Sequence, residues 1–98
     1  MRLFEIKDKT GKIIYLTGER WKHISSEHPI VVNDIEDIKE VLINPLVIKE
    51  SIHDVNTNFY YKYYKNKKLR SKYLMVVVKY LNGEGFVITS YYVDKIKG

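Results

Sequence analysis

Four β-patterned segments in series fill the second half of the chain, and they constrain the fold more than any other feature. After Pro45, β-branched and aromatic residues dominate, and these residue types favour strands. Short connections with turn residues, such as Asn82-Gly83, separate the segments. Strands joined in this way form an antiparallel meander. The segments are LVIKESI, FYYKYYK, KYLMVVVKY and GFVITSYYV.

A β-hairpin and a first helix are predicted before this series. RLFEIK and KIIYL flank the turn signal DKTG, which indicates a hairpin. Thr17 then fits the N-cap of a helix, because its hydroxyl can accept a hydrogen bond from a free backbone N–H. Pro29 disfavours helical backbone at the residue before it, so the helix should end near His28.

A second helix and the fold class follow from the next segment. Asn33 and Glu36 fit a capping box, apolar residues then recur at helical spacing, and Asn44-Pro45 ends the pattern. The predicted fold is therefore α+β, in the order ββααββββ, with two N-terminal helices packed on a four-stranded antiparallel sheet and preceded by a β-hairpin. At 98 residues the chain is long enough for one core only, so we expect residues 1–98 to form a single domain.

The composition excludes several classes of protein. The longest aliphatic run, Leu74 to Val78, is far shorter than the roughly 20 residues of a membrane helix, and the opening MRLFEIKDKTG contains no apolar block of a signal peptide. We therefore expect a cytoplasmic protein without a membrane partner. The absence of cysteine excludes disulfides and thiolate zinc sites.

Basic residues are concentrated in one segment of the chain. Between Val55 and Gly83 there are seven Lys or Arg and no acidic residue, whereas the rest holds ten basic and twelve acidic residues. Six of the nine tyrosines lie in the same segment, and cations interleaved with aromatic rings suit binding to RNA. The alternative is that the lysines protect edge strands from pairing with other chains. The predicted nucleic-acid contacts are Arg20, Lys62, Lys67, Lys68, Arg70 and Lys79.

Two of the three histidines lie in RWKHISSEHP, residues 20–29. Cleavage of RNA without a metal needs a base for the 2′-hydroxyl proton, an acid for the leaving oxygen and cations around the phosphorus. Histidine can take either proton role near neutral pH, so His23 and His28 are candidates. On a continuous helix they would lie about 140° apart and would converge only if the helix ends before His28. The alternative is that both are ordinary surface histidines.

Zinc binding competes for the same residues. His23, His28, His53 and Asp54 supply enough nitrogen and oxygen ligands, but the spacings HxxxH and HExxH, which place two imidazoles on one helical face, are absent. We therefore predict neither a metal nor a cofactor.

The last segment, GFVITSYYV, supplies hydroxyl groups. Thr89 and Tyr91 share one face of the strand, and this face is open if Phe86 and Ile88 are buried under the helices. The hydroxyls could then donate to a phosphate, or the phenol ring could stack on a base. The alternative is structural, because threonine and tyrosine are both favoured in strands.

Several segments together resemble the barnase/EndoU/colicin/RelE-like (BECR) nucleases, in particular small members from phages and mobile elements. The resemblance covers most of the chain after residue 15. The segments are LTGERWKHISSEHP (16–29), DIKEVLINP (37–45), the tyrosine pair at 60 and 61, MVVVKY (75–80) and GFVITSYYVDKIKG (85–98).

The resemblance implies a BECR-like nuclease domain, which is a metal-independent endoribonuclease with two helices before a four-stranded antiparallel sheet. Such domains are often used as toxins or in conflict systems. RNA is therefore the expected substrate, and a cognate inhibitor protein is a further expected partner. The catalytic residues that the resemblance implies are His23, His28, Thr89 and Tyr91. Independently of the resemblance, Arg70 and Lys79 are candidate cations for the transition state, and the alternative is that they are solvated charges of a loop and a strand edge.

Two other functions fit the same residues. One is a non-catalytic module of the same fold, which binds RNA or an antitoxin through the basic, tyrosine-rich segment. The other is a scaffold whose edge strands mediate dimerisation. The sequence makes no prediction of the oligomeric state.

Overall fold

The computed structural model describes residues 1–65 and 69–97, and in these residues one β-sheet carries two α-helices on one face. Neither α-helix of the described chain is long and apolar enough to cross a membrane. The elements are β1 (Arg2–Lys7), β2 (Ile13–Thr17), α1 (Gly18–Glu27), a 3₁₀ helix (Pro29–Val31), α2 (Ile35–Ile43), β3 (Val47–Glu50), β4 (Thr57–Tyr63), β5 (Tyr73–Leu81) and β6 (Glu84–Val93).

The sheet contains six strands in the order β1-β2-β6-β5-β4-β3, so the predicted fold is wrong in strand count and in order. Strands β3 to β6 pair antiparallel with their neighbours in the chain. The hairpin is not a separate element before a four-stranded sheet, because its strand β2 pairs in parallel with β6. Without β2, the outer edge of β6 would expose unpaired backbone N–H and C=O groups beside the core. The 3₁₀ helix is also absent from the predicted order ββααββββ.

The two faces of the sheet differ in what covers them. The helices cover one face, where Leu74, Val76 and Val78 of β5 are fully buried. The opposite face, called the open face below, carries a second apolar cluster that contains no helix residue. The buried members of that cluster are Tyr61, Met75 and Val77, and the half-buried side chains around them include Phe59, Ile88 and Tyr91.

A β-bulge in the β5–β6 pair decides which residues of β6 face the open side. Val77 pairs with Thr89, whereas the next residue of β5 pairs with Val87, so Ile88 is an extra residue. Val87 therefore lies under the helices, and Ile88 joins Tyr91 in the cluster on the open face. The expectation that Phe86 and Ile88 lie under the helices is wrong, because neither belongs to the cluster there, although Thr89 and Tyr91 do face the open side.

Gly85 allows β2 to pack closely against β6. It is buried opposite Ile14, and a Cβ placed on it would lie 2.6 Å from Ile14 Cδ1 and 2.8 Å from Val78 Cγ1. The valine has little freedom to move away, because its branched side chain is stiff at χ1. At Gly85, where β2 pairs with β6, a Cβ therefore does not fit unless the neighbouring side chains shift.

Replacing Gly85 by alanine should lower the free energy of unfolding by about 1–3 kcal/mol, because the added methyl group overpacks the contact between β2 and β6. Urea unfolding followed by circular dichroism measures this change. Gly18→Ala is the matched control, since its Cβ would lie 3.9 Å from the nearest atoms at the start of α1. An equal loss of stability in both variants would contradict the close-packing argument.

Candidate functional site

A pocket of about 330 Å³ lies between the end of α1 and the end of β6. We call it the His28 pocket. It brings together three residues that the sequence singled out, and these are His28, Arg70 and Tyr91. The complete lining is Glu27, His28, Pro29, Ile30, Val31, Leu69, Arg70, Ser71, Tyr91 and Tyr92.

The end of α1 places His28 in this pocket. The helix ends at Glu27, and His28 is the C-cap residue, with φ −130° and ψ 74°. Its backbone N–H donates to the carbonyl of Ile24 at 2.8 Å, while Pro29 prevents the helix from continuing. The prediction that the helix ends before His28 is confirmed. The imidazole therefore leaves the helical surface and reaches the last strand.

The imidazole of His28 stacks on the ring of Tyr91. The ring centroids are 4.6 Å apart and the planes differ by 21°. Tyr91 is half-buried on the open face, where it pairs with Met75 of β5. Stacking of this kind fixes the orientation of both rings. An imidazole and a phenol are thus held side by side in one pocket.

Tyr92 follows Tyr91 in the chain and also lines the pocket, but it lies on the face of β6 that the helices cover. Its hydroxyl donates to Asp34 Oδ2 at 2.8 Å, which ties the strand to the start of α2. Burial and this hydrogen bond raise the pKa of Tyr92 well above its usual range. The phenol therefore stays protonated near neutral pH and adds no charge to the pocket. Asp34, rather than the predicted Asn33, is the N-cap residue of α2.

Glu27 and Arg70 bring opposite charges to the pocket. Both side chains are exposed, and Glu27 Oε1 lies 3.2 Å from His23 Nε2. The sequence analysis did not select Glu27, although two signals point to it. It precedes His28 directly, and it lies four residues after His23, which is the spacing that brings side chains together on a helix. The pocket thus contains two groups that can exchange protons, a carboxylate and an imidazole.

His23 lies outside the His28 pocket. Its side chain is exposed on α1 and lines a separate depression together with Thr17, Glu19 and Arg20. The two histidines predicted as a catalytic pair therefore do not converge on one space. His23 contacts the pocket lining at Glu27.

Thr89 also stays apart from the pocket lining. It lies two residues before Tyr91 on the same face of β6, opposite Val77. Its Oγ1 atom is buried and has no hydrogen-bond partner among residues 1–65 and 69–97. Thr89 therefore lies on the open face but does not line the His28 pocket.

Among the predicted cations, Arg70 is the one that the described part of the chain places in the pocket. Lys62 donates to the carbonyl of Asn44 at 3.0 Å, and Arg20 lies in the separate depression beside His23. Lys79 forms an ion pair with Asp54, with the Nζ and Oδ2 atoms 3.0 Å apart. Lys67 and Lys68 lie outside the described residues.

Replacing Asp54 by asparagine should lower the melting temperature at pH 7 and have less effect in acid. The N–H of Asn56, with smaller effects of Lys79 and Thr57, holds the pKa of this carboxyl below its usual range. A carboxyl of this kind stabilises the fold above the unfolded-state pKa, and the stabilisation is lost as the pH falls through the lower folded-state value. Thermal unfolding at pH steps between about 5 and about 2 should show the difference between variant and native protein shrinking.

A control variant on α2 tests the origin of this pH dependence. Glu36 is an exposed carboxylate whose contact is an ion pair with Lys39 in the next turn. Glu36→Gln should therefore change the melting temperature little at any pH in the series. A constant difference between Asp54→Asn and the native protein across the series would show that the carboxyl is not the source of the stabilisation.

The zinc candidates do not come together. Within residues 1–65 and 69–97, no group of three or more His, Asp or Glu side chains could hold a metal ion. His23, His28, His53 and Asp54 form no such group.

The His28 pocket combines an imidazole, a carboxylate, a guanidinium group and a phenol. These groups can transfer protons and stabilise negative charge on a phosphate, which is the chemistry that RNA cleavage requires. Comparisons of the chain with protein-family models, with curated proteins and with solved structures found no match.

Proposed function

We propose that this protein is a metal-independent endoribonuclease of the BECR type, and that the His28 pocket is its active site. The observation that carries the proposal is the stacking of His28 on Tyr91 in a pocket that also contains Glu27 and Arg70. The resemblance of segments 16–29 and 85–98 to BECR nucleases supports the same assignment. The protein would act on RNA in the cytoplasm as a toxin or conflict-system effector, with a cognate inhibitor as its protein partner.

The proposed reaction is attack of a ribose 2′-hydroxyl on the adjacent phosphate. A bond forms between the 2′ oxygen and phosphorus, and the bond from phosphorus to the 5′ oxygen of the next nucleotide breaks. The products are a 2′,3′-cyclic phosphate and a 5′-hydroxyl. In this assignment the carboxylate of Glu27 accepts the 2′-hydroxyl proton, and the imidazolium of His28 donates a proton to the leaving 5′ oxygen.

Arg70 and Tyr91 would stabilise the charge that develops on the phosphate. A guanidinium group presents several N–H donors in a planar fork, which matches two non-bridging phosphate oxygens. The hydroxyl of Tyr91 would supply one further donor, and its ring holds the imidazole of His28 in place. Donors that are already oriented for the transition state are the main source of rate enhancement in reactions of this type.

His23 has a different role in this proposal from the one expected from the sequence. It lies outside the pocket and contacts Glu27, so we assign it as a positioning residue for the carboxylate. Thr89 has no assigned step, because it does not line the pocket. The acid and base roles expected of the histidine pair are divided between His28 and Glu27.

An RNA cleavage assay tests the proposal. The protein should cut a labelled RNA oligonucleotide equally well with and without EDTA, and the new ends should be 2′,3′-cyclic phosphates. An oligonucleotide of the same sequence with 2′-deoxyribose at every position is the matched control and should stay intact. Cleavage of that control would contradict the mechanism, and loss of activity in EDTA would contradict metal independence. Binding of RNA without cleavage would identify a non-catalytic RNA-binding module.

A further inference from the structure

A second pocket of about 400 Å³ lies on the open face and is called the Phe59 pocket here. Two aromatic side chains of β4, Phe59 and Tyr61, line it together with Met75 of β5. Tyr91 separates it from the His28 pocket and lines both. A pocket with an apolar, aromatic lining of this size suits a planar ligand group rather than a phosphate.

The Phe59 pocket and the His28 pocket belong to one continuous groove. A depression of about 430 Å³ lies between them. It shares Ser71 and Tyr92 with the His28 pocket, and it shares Tyr61 and Met75 with the Phe59 pocket. A flexible chain that has one group in the His28 pocket can therefore run along the sheet and place another group in the Phe59 pocket.

Residues that follow β6 contribute to the wall of the Phe59 pocket. Ile96 packs on the same apolar cluster as Tyr61, and Lys97 lines the pocket beside it. The ring of Tyr61 is almost fully buried, whereas that of Phe59 is half-buried. Of these two rings of β4, the ring of Phe59 is the more accessible to a ligand.

The charges along the groove are balanced among the described residues. Three cations and three carboxylates line it, so neutralisation of phosphates contributes little net attraction here. Stacking on aromatic rings must then supply the affinity at this end of the groove. The cations are Arg70, Lys95 and Lys97, and the carboxylates are Glu27, Glu50 and Asp94.

We infer that the Phe59 pocket binds an unpaired nucleobase of the RNA whose scissile phosphate lies in the His28 pocket. The substrate is then single-stranded RNA that extends across the open face beyond the two nucleotides at the cleavage site. A paired base cannot enter, because both of its faces are covered by stacking in the duplex. This inference rests on the proposed function for the identity of the ligand, but it concerns a separate group of residues.

Binding of an RNA that cannot be cleaved tests the inference without relying on catalysis. A fluorescent hexanucleotide with 2′-O-methyl groups at every position is titrated with native protein and with Phe59→Leu, which keeps an apolar side chain but removes the ring. The variant should bind about tenfold more weakly, in the range measured for loss of one base–aromatic stack. Tyr63→Leu is the matched control, because Tyr63 lies on the same face of β4 but outside the groove. Its affinity should equal that of the native protein.

A cleavage arm separates this inference from the proposed function. The ratio of kcat/KM for a hexanucleotide to kcat/KM for the dinucleotide UpA should fall about tenfold in Phe59→Leu, while cleavage of UpA itself stays unchanged. Equal binding by Phe59→Leu and native protein, with RNA cleavage intact, overturns the inference of a base-binding pocket but not the proposed nuclease function. If the native protein does not cleave RNA but Phe59→Leu binds it more weakly, the base-binding pocket is supported and the proposed nuclease function is overturned. Equal binding of the hexanucleotide and its duplex overturns the requirement for an unpaired base.

Discussion

Replacing His28 by alanine should lower the rate constant for RNA cleavage by about 10²–10⁴-fold, which is the usual contribution of a positioned general acid. The loss follows from the proposed proton transfer to the leaving 5′ oxygen, for which no other imidazole of the described chain lines the pocket. Affinity for RNA should change little, because the guanidinium of Arg70 and the aromatic groove stay in place. Single-turnover cleavage with protein in excess measures the chemical step, and binding of 2′-O-methyl RNA measures affinity.

Two further variants show whether this loss has the proposed cause. His28→Asn keeps a polar side chain at the C-cap of α1 but cannot donate an acidic proton, so it should be as inactive as the alanine variant. His23→Ala should cost much less, because His23 contacts Glu27 from outside the pocket. If His23→Ala abolishes cleavage while His28→Ala does not, the assignment of the acid to His28 is wrong. Equal melting temperatures of all variants would exclude unfolding as the cause.

Local rules predict from the sequence where the helix ends before His28 and which face of its strand Tyr91 occupies, but not that the two rings meet. Pro29 ends α1 at the preceding residue, which turns the histidine away from the helical surface. Tyr91 lies in a strand whose residues alternate between two faces. Neither rule gives a distance, and the stacked contact at 4.6 Å emerges only when α1 packs on the sheet.

The docking of the hairpin could not be predicted in the same way. The residues of β2 are mostly apolar, and an apolar strand can pair with either edge of a sheet. Pairing with β6 is compatible with Gly85, which lets Ile14 approach closely across the parallel pair. A single glycine in a strand pattern indicates a close approach of some neighbour but does not identify the neighbour. Periodicity therefore could not show that the hairpin joins the sheet and that the sheet has six strands.

Two errors in the predicted site come from contacts between distant parts of the chain. Lys79 looks like a free cation in the sequence, but Asp54, 25 residues earlier, pairs with it. Glu27 looks like a solvated helix residue, yet the loop before β5 brings Arg70 to the same pocket. Charge patterns in a sequence show how many cations there are, and only the packed fold shows which of them are already neutralised.

Replacing Arg70 by alanine should lower the cleavage rate constant by about 10²–10³-fold, which is the usual cost of removing one group that stabilises an oxyanion in the transition state. The guanidinium belongs to the loop that enters β5, and it is the cation of the described lining of the His28 pocket. Its removal leaves the charge on the phosphate without a guanidinium or ammonium partner in that lining. Arg70→Lys should recover only part of the rate, since an ammonium group keeps the charge but lacks the planar fork.

Arg20→Ala is the matched control for this variant, because it removes the same chemical group from the separate depression beside His23. Cleavage by Arg20→Ala should match that of the native protein if only a cation at the phosphate matters. Equal losses in Arg20→Ala and Arg70→Ala would instead mean that the net positive charge of the protein attracts RNA and that no cation has a special place. Rates measured at two salt concentrations separate the causes, because salt screens attraction over long distances much more than contact inside a pocket. A loss in Arg70→Ala that persists at high salt would thus locate the guanidinium at the reacting phosphate.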